Sequence, residues 1–172
     1  MIQDIILHLI LAIVKIAAAI ALSANAAYVG MSLLDKITPS IDEWKEIKKG
    51  NVAVGVLYGA AILSLILLVE PQIFDFVNAI DFSLPAQYLL AGLVFAMANY
   101  FVAIMIGVIV IYLSIHIIDH ITPDLEEFKE LKKGNVAVAL IMAVVLIAIA
   151  FALRGPFESI SETIKVLESL IL

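Results

Sequence analysis

Cysteine is missing from all 172 residues. That excludes a disulfide framework, a thiolate zinc site and a cysteine nucleophile, and it leaves the redox compartment unread. Charge is sparse as well: Asp, Glu, Lys and Arg make up 15% of the chain, and the net charge of -6 is scattered. No basic stripe tracks a phosphate backbone, so nucleic acid is not an expected partner. There is no glycine-rich phosphate loop and no grouping of nucleophile, acid and base, so no enzyme is expected and no cofactor is implied. The opening residues MIQD lack the positive region of a signal peptide, and the apolar run behind them is too long for its hydrophobic part. That run is expected to be retained.

What is plentiful is apolar surface. Hydrophobic residues are 64% of the chain and mean hydropathy is +1.14, above the level of soluble domains. The apolar runs are Ile5 to Leu34, Asn51 to Val69, Ala86 to Ile118 and Asn135 to Leu153. As helices the first and third would reach roughly 45 Å or more, well past a hydrocarbon core of ~30 Å, whereas the second and fourth barely span it. The expected fold class is an all-α integral membrane protein with four transmembrane helices in a long-short, long-short order.

Between the members of each pair lies a polar hinge, and the two hinges are copies. DKITPSIDEWKEIKKGNVAV at Asp35 to Val54 returns 84 residues later, at Asp119 to Val138, as DHITPDLEEFKELKKGNVAV, with fourteen of the twenty positions identical. The chain therefore divides into repeat 1 (1–84: long helix 5–34, hinge 35–50, short helix 51–69, outer amphipathic segment 71–85) and repeat 2 (85–172: long helix 86–118, hinge 119–134, short helix 135–153, outer amphipathic segment 155–172). Within each hinge, Thr38 with Pro39 and Thr122 with Pro123 read as the start of a short helix. Ile41, Trp44 and Ile47 share one face of it, as do Leu125, Phe128 and Leu131. This is an amphipathic helix suited to the headgroup region, with Trp44 and Phe128 as interfacial anchors. Gly50 and Gly134 are expected to end it at positive φ, and Asn51 and Asn135 to cap the helix that follows.

Seven of the ten basic residues sit in the hinges: Lys36, Lys45, Lys48, Lys49, Lys129, Lys132 and Lys133. The positive-inside rule then puts both hinges in the cytoplasm and both termini outside, in a multi-pass protein of the cell inner (plasma) membrane. Two like-oriented hairpins imply a pseudo-two-fold axis along the membrane normal. Small residues four apart recur at the repeat offset: Ala19 and Ser23 with Ala103 and Gly107, Gly55 and Gly59 with Ala139 and Ala143. These are expected to mark helix contacts, and a symmetric homo-oligomer in the lipid bilayer is the expected assembly.

The motif D-x-I-T-P, an acidic turn and G-N-x-A laid out twice resembles the YjfL-like family of duplicated bacterial and archaeal membrane proteins, which bears a domain-of-unknown-function label. The resemblance implies an inner-membrane location and the duplicated hairpin fold. It carries no catalytic residue. It also implies an association with membrane-stress systems of the phage-shock kind.

Three groups of side chains are candidates for function. Lys15 lies on the small-residue face of its helix with His8, Ala12, Ala19 and Ala26, and a cation there is either an intramembrane site or a boundary anchor. If Leu34 is level with Asn51, Lys15 is level with Glu70 and Asn99 with Arg154, and the favoured reading is an outer polar level with a Lys15–Glu70 pair. The second group is the hinge cluster of Asp35, Thr38, Glu43 and Asn51, repeated as Asp119, Thr122, Glu127 and Asn135. Its oxygens could bind or filter a cation, or simply cap helices, Asp35 accepting from the amides after Thr38. The third is His116 and His120, spaced as a helical metal pair but unduplicated and without a further ligand, so no metal is expected. The expected function is passage of a small cation. The alternative is a non-conducting scaffold that organises lipid or recruits a cytoplasmic protein partner.

Overall fold

A computed structural model describes residues 2–37, 41–122 and 125–171, with backbone alone at 161, 164, 165 and 167–171. The helices in chain order are α1 (Ile2–Ile37), α2 (Glu43–Lys48), α3 (Val52–Ala79), α4 (Ala86–Ile121), α5 (Glu127–Lys132) and α6 (Val136–Ile171). Among the described residues there is no strand. Four stretches, Ile2–Ile37, Val52–Ala79, Ala86–Ile121 and Val136–Ile160, are long and apolar enough to cross a membrane. The chain is an all-helical, multi-pass membrane protein. Thr38, Pro39 and Pro123, expected to open the hinge helices, lie outside the described residues.

The short helices are longer than the sequence pattern implies. α3 does not stop near Val69 and restart at Pro71; it runs without a break to Ala79. α6 likewise continues through Gly155 and Pro156. The segments 71–85 and 155–172 are therefore mainly extensions of the spanning helices, not separate outer helices. Proline removes one backbone bond and crowds the turn before it, but packing on both sides of Pro71 holds that turn: Leu68, Val69, Gln72 and Ile73 are all buried. The chain reverses instead at residues 80–85, where Asp81 Oδ1 accepts hydrogen bonds from the Ser83 amide (2.9 Å) and hydroxyl (2.6 Å). These bonds hold the Asp81 carboxyl below its usual range.

α3 is the centre of the molecule and packs against α1, α4 and α6. Its register with α1 is antiparallel: Asp35 meets Tyr58, and Gly30 lies over Ile62, where an added Cβ would sit 3.4 Å from the Ile62 Cα. A small residue here lets the two backbones come close. α3 and α6 run parallel, and residues one repeat apart touch. Glu70 and Arg154, 84 positions apart, form an ion pair at 2.8 Å, and Gln72 Nε2 donates to the Phe157 carbonyl at 3.4 Å. Leu57, Leu65, Leu68, Ile111, Ile115, Met142 and Leu146 fill the space between the helices, each almost wholly buried.

The small-residue positions divide. Ala103, Gly107, Ala139 and Ala143 are buried, and a Cβ at Gly107 would fall 2.7 Å from Leu65 Cδ1. Ala19 and Ser23 are half-buried. Gly55 and Gly59 are exposed, with nothing within 4 Å of an added Cβ, so within one chain they make no helix contact. The reason is rotational: α1 meets α3 around Tyr58, Ala61, Ile62 and Leu65, and the glycine pair is turned roughly a quarter-turn from that stripe.

Candidate functional site

The two hinges lie at the same end of the molecule. Asn51 opens α3 as its N-cap, accepting from the Val54 amide at 3.3 Å. Its Nδ2 donates to the Leu131 carbonyl at 2.9 Å and lies 3.4 Å from the Lys132 carbonyl, so one cap residue ties the first hinge to the second. Asn135 caps α6 at 3.4 Å through Val138, but its other recorded bond stays within its own hinge, to Glu130 at 2.9 Å. Gly50 and Gly134 take φ of 82° and 81°, the conformation the chain needs to leave each six-residue helix.

Around these turns the hinge side chains sort by charge. Glu46 pairs with Lys49 and Glu130 with Lys133, each at 2.7 Å. The Glu46 carboxyl is held below its usual range by Lys49 and then by Asn51, and the Glu130 carboxyl by Asn135 and then by Lys133. Lys133 is correspondingly raised by Glu130. Beneath them Ile41 and Leu131 are buried, and Phe128 is half-buried. Trp44, the counterpart of Phe128, is 54% exposed, so the two anchors are not equivalent.

Glu43 and Glu127 point the other way, into the protein, and are 6% and 4% exposed. In the first hinge the Tyr58 hydroxyl donates to Asp35 Oδ1 at 2.5 Å and also contacts Glu43. In the second, the Thr122 hydroxyl touches Glu127 Oε1 and lies 2.8 Å from the Ile118 carbonyl. The Asp119 and Glu127 side chains line one pocket with Thr122. Asp35 and Asp119 sit at the exposed rim, and the glutamates beneath them are the enclosed pair. Thus Asp35, Glu43, Asp119, Thr122 and Glu127 come together with their own hinge partners, while Asn51 and Asn135 act as caps. Among the described residues the partner of Asp35 is Tyr58; the amides just after Thr38, expected to donate to it, fall largely outside them.

At the opposite end the expected Lys15–Glu70 pair is absent. Glu70 pairs with Arg154, which also reaches Glu158 at 3.3 Å, and Lys15 acts electrostatically on Asp81. The assumed register explains the error. Asp35 docks at Tyr58, so Lys15 lies opposite the region of Val77 and Asn78, about seven residues or roughly 10 Å beyond Glu70. Asn99, expected level with Arg154 at the boundary, is buried at 4% exposure.

His116 offers no metal geometry. Its Nδ1 lies 3.0 Å from the Tyr112 carbonyl and its ring stacks on Tyr112 at 4.1 Å. Among the described residues no three His, Asp or Glu side chains gather as a metal set, His120 included.

Several polar residues in the core escape a reading by motif. Tyr100 donates to the Leu22 carbonyl at 2.8 Å and reaches Asn25 at 3.0 Å, joining α4 to α1. Ser64 Oγ and Gln72 Oε1 are buried on α3 without a partner. Tyr58 carries a sequence signal: its counterpart at the repeat offset is Met142, a polar-for-apolar mismatch beside an otherwise copied hinge.

No curated protein and no solved structure matches the chain. The family described as Domain of Unknown Function (DUF350) matches it twice, over residues 6–104 and residues 88–172, as a duplicated chain requires, and the chain belongs to that family.

Proposed function

We propose that copies of this chain assemble in the inner (plasma) membrane and pass a small cation between them, with both hinges forming the cytoplasmic mouth. The observation that carries this reading is the pair of enclosed glutamates, Glu43 and Glu127, one per hinge and at one end of the molecule. Each lies against hydroxyl and carboxyl groups. Ionisable groups shut away from water at the mouth of a membrane protein are costly and suit an ion path or proton relay. The path belongs between copies, because the middle of each chain is filled by Leu57, Leu65, Leu68 and Met142. Lysine placement orients the hinges to the cytoplasm and the termini outside; the hinge helices then lie at the headgroups, each joining the two helices of one hairpin.

That same apolar filling favours a second reading, a non-conducting scaffold or membrane-stress component. Trp44, exposed on its hinge helix, would then anchor lipid or a soluble partner. Flux assays in protein-loaded liposomes separate the two. Conduction predicts cation flux above that of empty vesicles, reduced in the Glu43→Gln, Glu127→Gln double variant with the oligomer intact. Flux equal to empty vesicles for protons, Na+ and K+ alike would leave the scaffold.

A further inference from the structure

The contact between α3 and α6 joins two copies of one sequence unit through different faces. On α6 the side that meets α3 carries Arg154 and the Phe157 carbonyl. At about 100° per residue, Ala139 lies in line with Phe157 and Ala143 about 20° from Arg154, and both alanines are buried. On α3 the residues that reach α6, Glu70 and Gln72, straddle the line through Ala53, Ala60 and Ser64, which are buried as well. A two-fold relation between the repeats would bury the same positions in each. Instead, the face that α6 turns to α3 is bare on α3, where Gly55 and Gly59 have nothing within 4 Å of an added Cβ. The face that α3 turns to α6 is equally bare on α6: Ala137, Val144 and Ala148, the counterparts of Ala53, Ala60 and Ser64, are exposed, Val144 at 63%. Each chain thus carries both halves of one contact, joined once inside the molecule and left open once on each flank.

We propose that the open halves belong to each other across copies: α6 of one chain packs along Gly55 and Gly59 on α3 of the next, repeating between chains the contact that α3 and α6 make within one. This rests on the assembly of copies in the reading above and not on conduction. The occupant is a second copy because the complementary face is the one α6 leaves open, and the repeat keeps it small: Ala137 and Ala148 stand where α3 has Ala53 and Ser64. Lipid gives apolar faces no drive to associate, so close approach along small residues has to favour the contact. Gly55 and Gly59 admit a nearer neighbour than Ala139 and Ala143 do. At the end away from the hinges, the exchange of roles sets Arg154 of one chain level with Glu70 of the next. These are opposite charges as in the internal pair, where the two side chains keep 38% and 50% exposure. Since α3 and α6 run parallel, neighbouring copies share one orientation in the membrane. Unlike faces meet, so copies add head to tail and close as a ring when the step divides a full turn.

The test uses the full chain, which has no native cysteine. Gly59→Cys and Val144→Cys are placed in separately tagged chains, co-expressed, and oxidised in isolated membranes with copper phenanthroline. Ala60→Cys with Ala143→Cys in a single chain is the same pair one repeat over, inside the molecule, and is the standard for disulfide formation at this depth. Expected are a mixed dimer of the two tagged chains, several-fold above either variant alone, and a ladder of dimers, trimers and longer species when Gly59→Cys and Val144→Cys share one chain. Self-linkage of Gly59→Cys at the level of the mixed dimer, or no mixed dimer where the internal standard forms, overturns the proposal. Photobleaching step counts of dye-labelled chain in liposomes decide independently of disulfide chemistry. Gly59→Leu, in open space within the chain, is expected to keep its helicity and fall to single steps. A parent that bleaches in single steps, or Gly59→Leu counts equal to the parent's, also overturns the contact. A ladder without cation flux would sink the conduction reading and keep this contact; flux without a ladder would sink this contact and keep conduction.

Discussion

α3 and α6 descend from one sequence unit, yet one is a hub and the other a flank. α3 is packed by α1, α4 and α6, whereas α6 packs mainly against α3 and α4. In the most apolar window of each, 56% of residues are buried in α3 and 33% in α6. Duplication copied the hydrophobic pattern, but neighbours decide which positions become core. The same lesson holds at the hinges, where Glu43 and Glu127 are buried alike while Tyr58, which reaches Glu43, has Met142 as its counterpart one repeat later.

The largest effect expected from this contrast is Leu65→Ala, which empties a site with no exposed surface. It is predicted to destabilise the fold by about 2–5 kcal/mol, measured by reversible unfolding in mixed micelles. Ile149→Ala, at the matching place in α6 and only half-buried, should give less than half that change; equal losses would erase the hub-and-flank distinction. Next comes Gly107→Val. The added carbon atoms must displace Leu65, for about 1–3 kcal/mol, while Gly55→Val, in open space, should stay within about 0.5 kcal/mol. A smaller asymmetry is predicted for the caps. Asn51→Ala removes both a cap and the tie to Leu131, for about 1–2 kcal/mol, and Asn135→Ala should fall nearer about 0.5–1 kcal/mol. Arg154→Ala should change stability by no more than about 1 kcal/mol and lose its effect in high salt, because its partners Glu70 and Glu158 are exposed.

Much of this was written in the residues. The apolar runs announce the spanning helices, the copied hinges announce the duplication, and Asn51, Gly50 and their mates announce where helices start and stop, because caps and positive-φ turns depend on local chemistry. The places that misled depend on tertiary packing. Pro71 reads as a helix start because proline suits a first turn, yet burial on both sides carries α3 through it. Lys15 reads as the partner of Glu70 because hinge length alone does not set the register; the docking of Asp35 on Tyr58 does. Gly55 and Gly59 resemble contact residues, but which face of α3 meets α1 is a rotational matter that spacing leaves open. Ser64 and Gln72 belong to no motif and became visible only when the helices enclosed them, whereas Tyr58 shows in the sequence as a mismatch with Met142 across the repeat.

The hinge carboxyls give the weakest test of the comparison. The Glu46 and Glu130 carboxyls are depressed, so their contribution is present at neutral pH and lost as pH falls through their folded values. Acid should loosen the ends of α2 and α5 together, read by amide exchange corrected for intrinsic rate. Glu130→Gln should remove the response in α5 alone.

The central claim is that the two hinges share one side of the membrane. The absence of native cysteine makes it directly testable with single cysteines in place of Lys48 and Lys132, challenged from outside sealed, right-side-out vesicles with a membrane-impermeant maleimide. Both positions should stay protected until the membrane is opened and then react alike. Labelling of one and protection of the other would contradict the account.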